Sequence, residues 1–218
     1  MTAFRTFLFD LDGTLIDHFA AIHRAHSHAL RSLGFPEPSV AEVRAAVGGG
    51  LERAIGRLAG PDRVEEALAI YRPYWNATML DDVVLLPGAR SLMQQLHEQG
   101  AILAVLTNKH GPSSRRICDH LGLTLWLRAV YGAGDTAWLK PQPEFAQHAL
   151  QELRADVSTT LLVGDSPWDV QAAVNGGFQS WCVTTGTHTH SELVTAGANK
   201  VFPDLIALGR DLGLTVEL

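Results

Sequence analysis

Four short apolar runs, each ended by an acid, a hydroxyl or an amide, constrain the fold of this 218-residue chain more than any other feature. Phe7-Leu8-Phe9 stops at Asp10-Leu11-Asp12-Gly13, and Ala101 to Leu106 stops at Thr107-Asn108. Leu161-Leu162-Val163 stops at Gly164-Asp165, and Trp181-Cys182-Val183 at Thr184-Thr185-Gly186. The runs are continuous rather than alternating, so each strand needs cover on both faces, as in a parallel sheet. Helical spacing fills the gaps. Leu92, Met93 and Leu96 precede Gly100; Ile117, Cys118 and Leu121 precede Gly122; Phe145, Ala149, Leu150 and Leu153 follow Pro143; Val170, Ala173 and Val174 precede Gly176-Gly177. Strands alternating with helices predict an open α/β sheet with polar residues gathered past the strand ends, where such sheets bind ligands.

Residues 15–86 break the pattern. Phe19, Ile22, Ala25, Ala29 and Leu30 form one helical stripe, and Val64, Ala67, Leu68 and Tyr71 another. Pro36, Pro38 and Gly48-Gly49-Gly50 divide the stretch, and no strong buried strand is legible in it. A helical insertion after the first strand is the simplest account, with Pro87-Gly88 marking the return to the sheet.

Composition narrows the function classes. Apolar residues make up 46% and charged residues 18%, an ordinary globular balance. The formal net charge of −6 disfavours a nucleic-acid or anionic-membrane partner, since both need a basic surface. No apolar run approaches the ~20 residues that cross a bilayer. The leading residues Met1 to Thr6 do not resemble a signal peptide. Cys118 and Cys182 lie far apart in apolar settings and read as core thiols. A soluble protein of a reducing cytoplasm is the expectation.

The strand ends carry a coherent set: Asp10 and Asp12, then Thr107, then Asp165 and Asp169, with Lys140 in Leu139-Lys140-Pro141-Gln142-Pro143. Two acids one residue apart can divide labour, one as nucleophile and one moving protons. Clustered carboxylates repel unless a cation sits among them, and an all-oxygen set suits Mg²⁺. A lysine and a threonine hydroxyl beside them can hold an anion. Phosphoryl transfer uses such parts.

Asp10-Leu11-Asp12-Gly13-Thr14-Leu15 resembles the first motif of the haloacid dehalogenase-like superfamily. Thr107 with Asn108-Lys109, Lys140 before Pro-x-Pro, and Gly164-Asp165-Ser166-Pro167-Trp168-Asp169 resemble its second, third and fourth motifs, in order and across essentially the whole chain. The phosphoglycolate phosphatase-like branch is the nearest match. The resemblance implies a Rossmann-like α/β core at 1–14 and 87–218 and a helical cap domain at 15–86. It implies that Asp10 is the nucleophile that becomes an aspartyl-phosphate, and that Asp12 is the general acid and base. It implies Mg²⁺ held by the Asp10 carboxylate, the Asp12 backbone carbonyl and the Asp165 carboxylate. Asp169 would support that shell through ordered water or by orienting Lys140. Thr107 and the Asn108 backbone N–H would bind phosphoryl oxygens, and Lys140 would neutralise the nucleophile and phosphate. The expected partner is a small phosphorylated metabolite, phosphoglycolate first, with pyrophosphate and sugar phosphates behind it.

Plainer readings stand beside these. Asp169 can simply cap a helix starting near Val170. Gly48 to Gly50 is either a loop facing the site or a flexible turn. Arg53 and Arg57 fit a solvated helix face, and Trp168 fits loop packing. Of the ten histidines, His23/His26 and His188/His190 are close pairs without a third ligand suited to zinc; the His188 loop could line the entrance. A dehalogenase of this superfamily lacks the second acid of the first motif, so Asp12 argues against that activity. A β-phosphoglucomutase-type mutase tends to carry Glu-Asp where this chain has Gly164-Asp165. A non-catalytic binding domain would be expected to have lost one of the six side chains, and all six are present.

Overall fold

The computed structural model describes residues 3–217. Met1, Thr2 and Leu218, at the ends of the expected core segments, lie outside the described residues. The chain runs β1 (Thr6–Phe9), β2 (Ile16–Asp17), α1 (Phe19–Ser32), α2 (Val40–Ala46), α3 (Leu51–Ala59), α4 (Val64–Thr78), β3 (Val84–Leu85) and α5 (Ala89–Glu98). It continues β4 (Ile102–His110), α6 (Gly111–His120), β5 (Leu127–Ala133), α7 (Pro143–Leu153), β6 (Thr160–Gly164), α8 (Pro167–Gly176), β7 (Gln179–Val183), α9 (His190–Ala196), β8 (Lys200–Phe202) and α10 (Leu205–Asp211). Six strands form a parallel sheet in the order β5-β4-β1-β6-β7-β8. This is the Rossmann-like α/β architecture that the apolar runs predict.

Strand β1 lies at the centre, paired with β4 and β6 through Phe7↔Leu103 and Phe7↔Leu161. Its side chains alternate between faces because the strand period is two. Phe7 and Phe9 pack with Leu92, Met93, Leu96 and Ile117 from α5 and α6. Leu8 points the other way, to Phe145, Ala149 and Leu150 of α7 and Ala172 and Ala173 of α8. All three β1 side chains are fully buried, which is why their run shows no polar alternation.

Two strands of the sheet carry weak sequence signals. Edge strand β5 mixes Arg128 and glycine into its apolar residues, and edge strand β8 has three residues and opens on Lys200. Short, charged edges resist pairing with other chains, and the same property hides them from an apolar-run search. Residues 15–86 hold no long buried strand, but two short strands flank their helices, which no sequence signal marked. β2 and β3 pair antiparallel, Ile16 with Leu85 and Asp17 with Val84, and the Leu86 N–H donates to the Leu15 carbonyl at 2.9 Å. At two residues each they are too short to show periodicity. Helices α1 to α4 lie between them in the chain. Among the described residues, no helix is long and apolar enough to cross a membrane.

Phe7→Ala, at the sheet centre, should destabilise the protein by about 3–5 kcal/mol in urea unfolding. Val194→Ala, on an exposed face of α9, should stay within about 0.5 kcal/mol of wild type. Similar losses from both would contradict this placement of the core.

Candidate active site

The ends of β1, β4 and β6 bring five of the six implicated side chains together, and the loop before α7 adds Lys140. The departure is in β4. The strand does not stop at Thr107-Asn108 but runs to His110, with a register irregularity between Leu106 and His110. An irregular ladder re-aims side chains, and here Thr107, Asn108 and Lys109 all line the cavity above the sheet.

Lys140 is the centre of the charge arrangement. Its ammonium donates to Asp10 Oδ1 at 2.7 Å and to Asp169 Oδ1 at 2.6 Å. It is 4% exposed, unlike the solvated lysines usual at a surface. The flanking carboxylates raise its proton affinity against the pull of burial, keeping it an ammonium. Asn108 fixes its backbone: the Lys140 N–H donates to Asn108 Oδ1 at 2.8 Å, and Asn108 Nδ2 donates to the Lys140 carbonyl at 2.9 Å. Asn108 Nδ2 also reaches the Gly48 carbonyl at 3.0 Å. Its side chain therefore braces the site, beyond the backbone contact foreseen for it.

Asp169 does both things proposed for it. The helix begins at Pro167 rather than near Val170, and Asp169 Oδ2 accepts from Ser166 N–H at 3.1 Å and Ser166 Oγ at 2.5 Å. Its other oxygen orients Lys140. Asp165 accepts from Thr14 Oγ1 at 3.3 Å and from the Thr187 N–H at 3.2 Å. Asp12 takes the Lys109 ammonium at 2.7 Å on Oδ2, while Oδ1 faces His18 Nδ1 at 3.5 Å. Neither of those two facing atoms has another hydrogen-bond partner, and His18 Nε2 is engaged at 2.6 Å with the Met79 carbonyl. Lys109 and His18 were not singled out as site residues. The position of Lys109 next to Thr107-Asn108 was the available signal, whereas nothing in the sequence marks His18.

These surroundings separate the acids. Burial, with Asp169 and Asp12 nearby, pushes Asp10 up to about 6 in spite of Lys140. Burial and the neighbouring Asp10 and Asp169 push Asp165 well above the carboxylate range. For Asp12, burial acts upward, but Lys109 and His18 overcome it and hold the group below the usual range.

A divalent cation fits this set. Carboxylate oxygens of Asp10, Asp165 and Asp169 lie within 4.8 Å of one another, and no histidine joins such a cluster among the described residues. Asp169 is committed to the Lys140 ammonium and the first turn of α8, whereas Asp165 meets only the neutral Thr14 and Thr187 donors and Asp10 has one oxygen off Lys140, so Asp10 and Asp165 are the pair that could turn to a cation. Four carboxylates face two ammonium groups, so with all four ionised a divalent cation would balance the set.

The helical segment closes over the site. The cavity has a volume of about 390 Å³ and is lined from above by Phe19, Ile22, Tyr71, Trp75 and the Gly48–Gly50 loop. Gly48 has φ +106°, and a Cβ there would meet the Trp168 ring at 3.2 Å, so the loop is a fitted wall rather than a loose turn. Trp168 is packing, as expected, with the Arg53 guanidinium 4.7 Å above its ring; Arg57 is exposed and donates to the Ala45 carbonyl. Thr187 reaches the cavity, whereas His190 is exposed at the start of α9. Cys118 and Cys182 are buried free thiols, with Cys118 pushed up to about 12 by burial.

The profile described as haloacid dehalogenase-like hydrolase matches residues 7–183. The chain belongs to that family. This haloacid dehalogenase-like hydrolase is 36% identical over 195 residues to the probable phosphatase IndB of Dickeya dadantii, covering 87% of this chain and 85% of the relative. It is 34% identical over 185 residues to a phosphoglycolate phosphatase of Rhodobacter capsulatus, covering 82% and 84%. A haloacid dehalogenase-like hydrolase structure from Streptococcus pneumoniae superposes with a TM-score of 0.87 at 25% identity, covering 97% of this chain and all of the other. The protein is a phosphatase of the family.

The raised Asp10 carries a stability consequence. Its native proton affinity exceeds the unfolded one, so ionising it costs stability as pH rises from about 4 to about 6. In EDTA, Asp10→Asn should therefore be more stable than wild type above pH 6, by up to about 3 kcal/mol, with the gap closing toward pH 4. Adding Mg²⁺ should stabilise wild type more than the variant. Thermal unfolding across pH checks this; a variant less stable at pH 8 in EDTA would contradict the charge assignment.

Proposed function

We propose that the protein hydrolyses the phosphate monoester of a small metabolite through an aspartyl-phosphate on Asp10, with Mg²⁺ bound by Asp10, Asp165 and the Asp12 backbone carbonyl. The observation that carries this is Lys140 locked between Asp10 and Asp169, with the second oxygen of Asp10 free of protein hydrogen bonds beside the cavity. Residues 15–86 act as the cap and the remainder as the catalytic core. Mg²⁺ would supply positive charge to the phosphoryl oxygens and to the nucleophile.

Asp10 attacks phosphorus in line and the bond to the leaving oxygen breaks. Asp12 gives that oxygen a proton. An entering phosphate dianion raises the proton affinity of Asp12, offsetting the Lys109 pair that otherwise holds it ionised. Water then attacks the aspartyl-phosphate, Asp12 takes its proton, and the Asp10–phosphorus bond breaks to release inorganic phosphate. Thr107 and the Asn108 N–H hold phosphoryl oxygens, and Lys140 keeps positive charge against nucleophile and phosphate throughout. Asp169 holds Lys140 in place and thereby supports the metal shell.

Hydrolysis is favoured over phosphoryl return to a sugar by Gly164. A Cβ there would lie 2.2 Å from Asp169 Cγ, so the glutamate of the mutase pattern does not fit. The named relatives make phosphoglycolate the first substrate to assay, with pyrophosphate and sugar phosphates as comparators.

Phosphate release across that panel should require Mg²⁺, stop with EDTA and be abolished in Asp10→Asn with the fold retained by circular dichroism. Near wild-type turnover in Asp10→Asn would refute covalent catalysis by Asp10. Asp12→Ala should be similarly damaged. Lys140→Ala should lose about 2.7–4 kcal/mol of transition-state stabilisation, read as kcat/KM.

A further inference from the structure

The cavity wall opposite the carboxylates is built from one face of each of two helices. On α1, Phe19, Ile22 and His26 recur at i, i+3 and i+7; on α4, Tyr71 and Trp75 stand at i and i+4. The rings form a continuous row. His26 and Tyr71 are 4.9 Å apart between centroids, Tyr71 and Trp75 are stacked at 5.8 Å, and Trp75 and His18 are 4.9 Å apart. Val47 and Leu51 extend the apolar lining. A volume of about 390 Å³ falls in the range of about 300–1,000 Å³ that encloses a drug-sized ligand.

The charges are already spent. The permanent cations lining the cavity are Lys109, engaged with Asp12 at 2.7 Å, and Arg72 at the rim, engaged with Glu52 at 3.2 Å. The first turn of α3, whose Leu51 and Glu52 line the cavity, carries that acid and so already has its negative charge. Burial, with His23 and Lys109 nearby, pushes His26 down to about 4, so it faces the cavity as a neutral imidazole. Its Nδ1 is buried with no hydrogen-bond partner, a polar handle for an uncharged group.

We infer that the substrate is the monophosphate of an uncharged alcohol with an aromatic or comparably bulky apolar body, seated between α1 and α4 against Phe19, Ile22, Tyr71 and Trp75. A second anionic group on the substrate is selected against. The inference rests on the phosphatase reading for the place of the phosphate and narrows its substrate class away from phosphoglycolate and pyrophosphate.

Phosphonates separate the two questions, because their carbon–phosphorus bond is not hydrolysed. By calorimetry on the wild-type protein with Mg²⁺, 3-phenylpropylphosphonate should bind at least about tenfold tighter than phosphonoacetate. Trp75→Phe should keep that preference, and Ile22→Arg, which adds a cation to the wall, should reverse it. Phosphonoacetate binding equally or more tightly, above all if Arg72→Met abolishes it, overturns the inference, as does binding of neither. Phosphate release from 2-phenylethyl phosphate and phosphoglycolate is measured alongside. Preferred aryl-phosphonate binding with no ester hydrolysed sinks the hydrolase reading and leaves the pocket assignment standing. Hydrolysis that favours phosphoglycolate does the opposite.

Discussion

The ammonium of Lys140, buried between Asp10 and Asp169, is the contact on which the site depends. A buried charge is costly unless it is paired and hydrogen-bonded, and this one is held by two carboxylates on different elements. Each partner is secured separately. Asp169 is tied to the first turn of α8, Asp10 is set by the central strand, and the Lys140 backbone is held from both sides by the Asn108 side chain. Removing Lys140 would leave two carboxylates unpaired where water has little access, whereas removing either acid leaves the ammonium with one partner. The arrangement therefore fixes the relative positions of three segments far apart in the chain.

The same side chains connect the sheet to the helices above it. Asn108 reaches the Gly48 carbonyl, Arg44 donates to the Gly186 carbonyl at 2.7 Å, and Arg53 lies over Trp168. The first two links end in the loops that carry Lys140's brace and Asp165's N–H donor. These links hold the helices over the carboxylates, and in the proposed hydrolysis that cover would limit the access of bulk water. The cavity has two unlike sides: carboxylates and ammonium groups below, aromatic surface above.

Legibility followed burial and spacing. The four central strands each contain a continuous apolar run because both faces are covered, so they show in the sequence; β5 and β8 are edges with exposed positions, and β2 and β3 are too short for any period. Asp10, Asp12, Thr107, Lys140, Asp165 and Asp169 were legible because they sit at strand ends or in motifs with local spacing. Lys109 as the partner of Asp12, His18 as its neighbour, and Asn108 as a brace were not. Lys109 and Asn108 act on residues far away in the chain, and His18 is turned toward Asp12 by the start of α1; no local pattern encodes either.

Sequence alone determined the α/β architecture, the helical stretch after the first strand, the family resemblance and the residues of the carboxylate-lysine cluster, since each of these rests on local periodicity or on motifs a few residues long. Only the tertiary structure decided how the charges pair, which acids gain or lose proton affinity, and what surface faces the substrate. Those properties come from burial and from distances between α1, α4 and the strand ends. The protonation energy of a carboxylate depends on its neighbours in space, not on its neighbours in the chain.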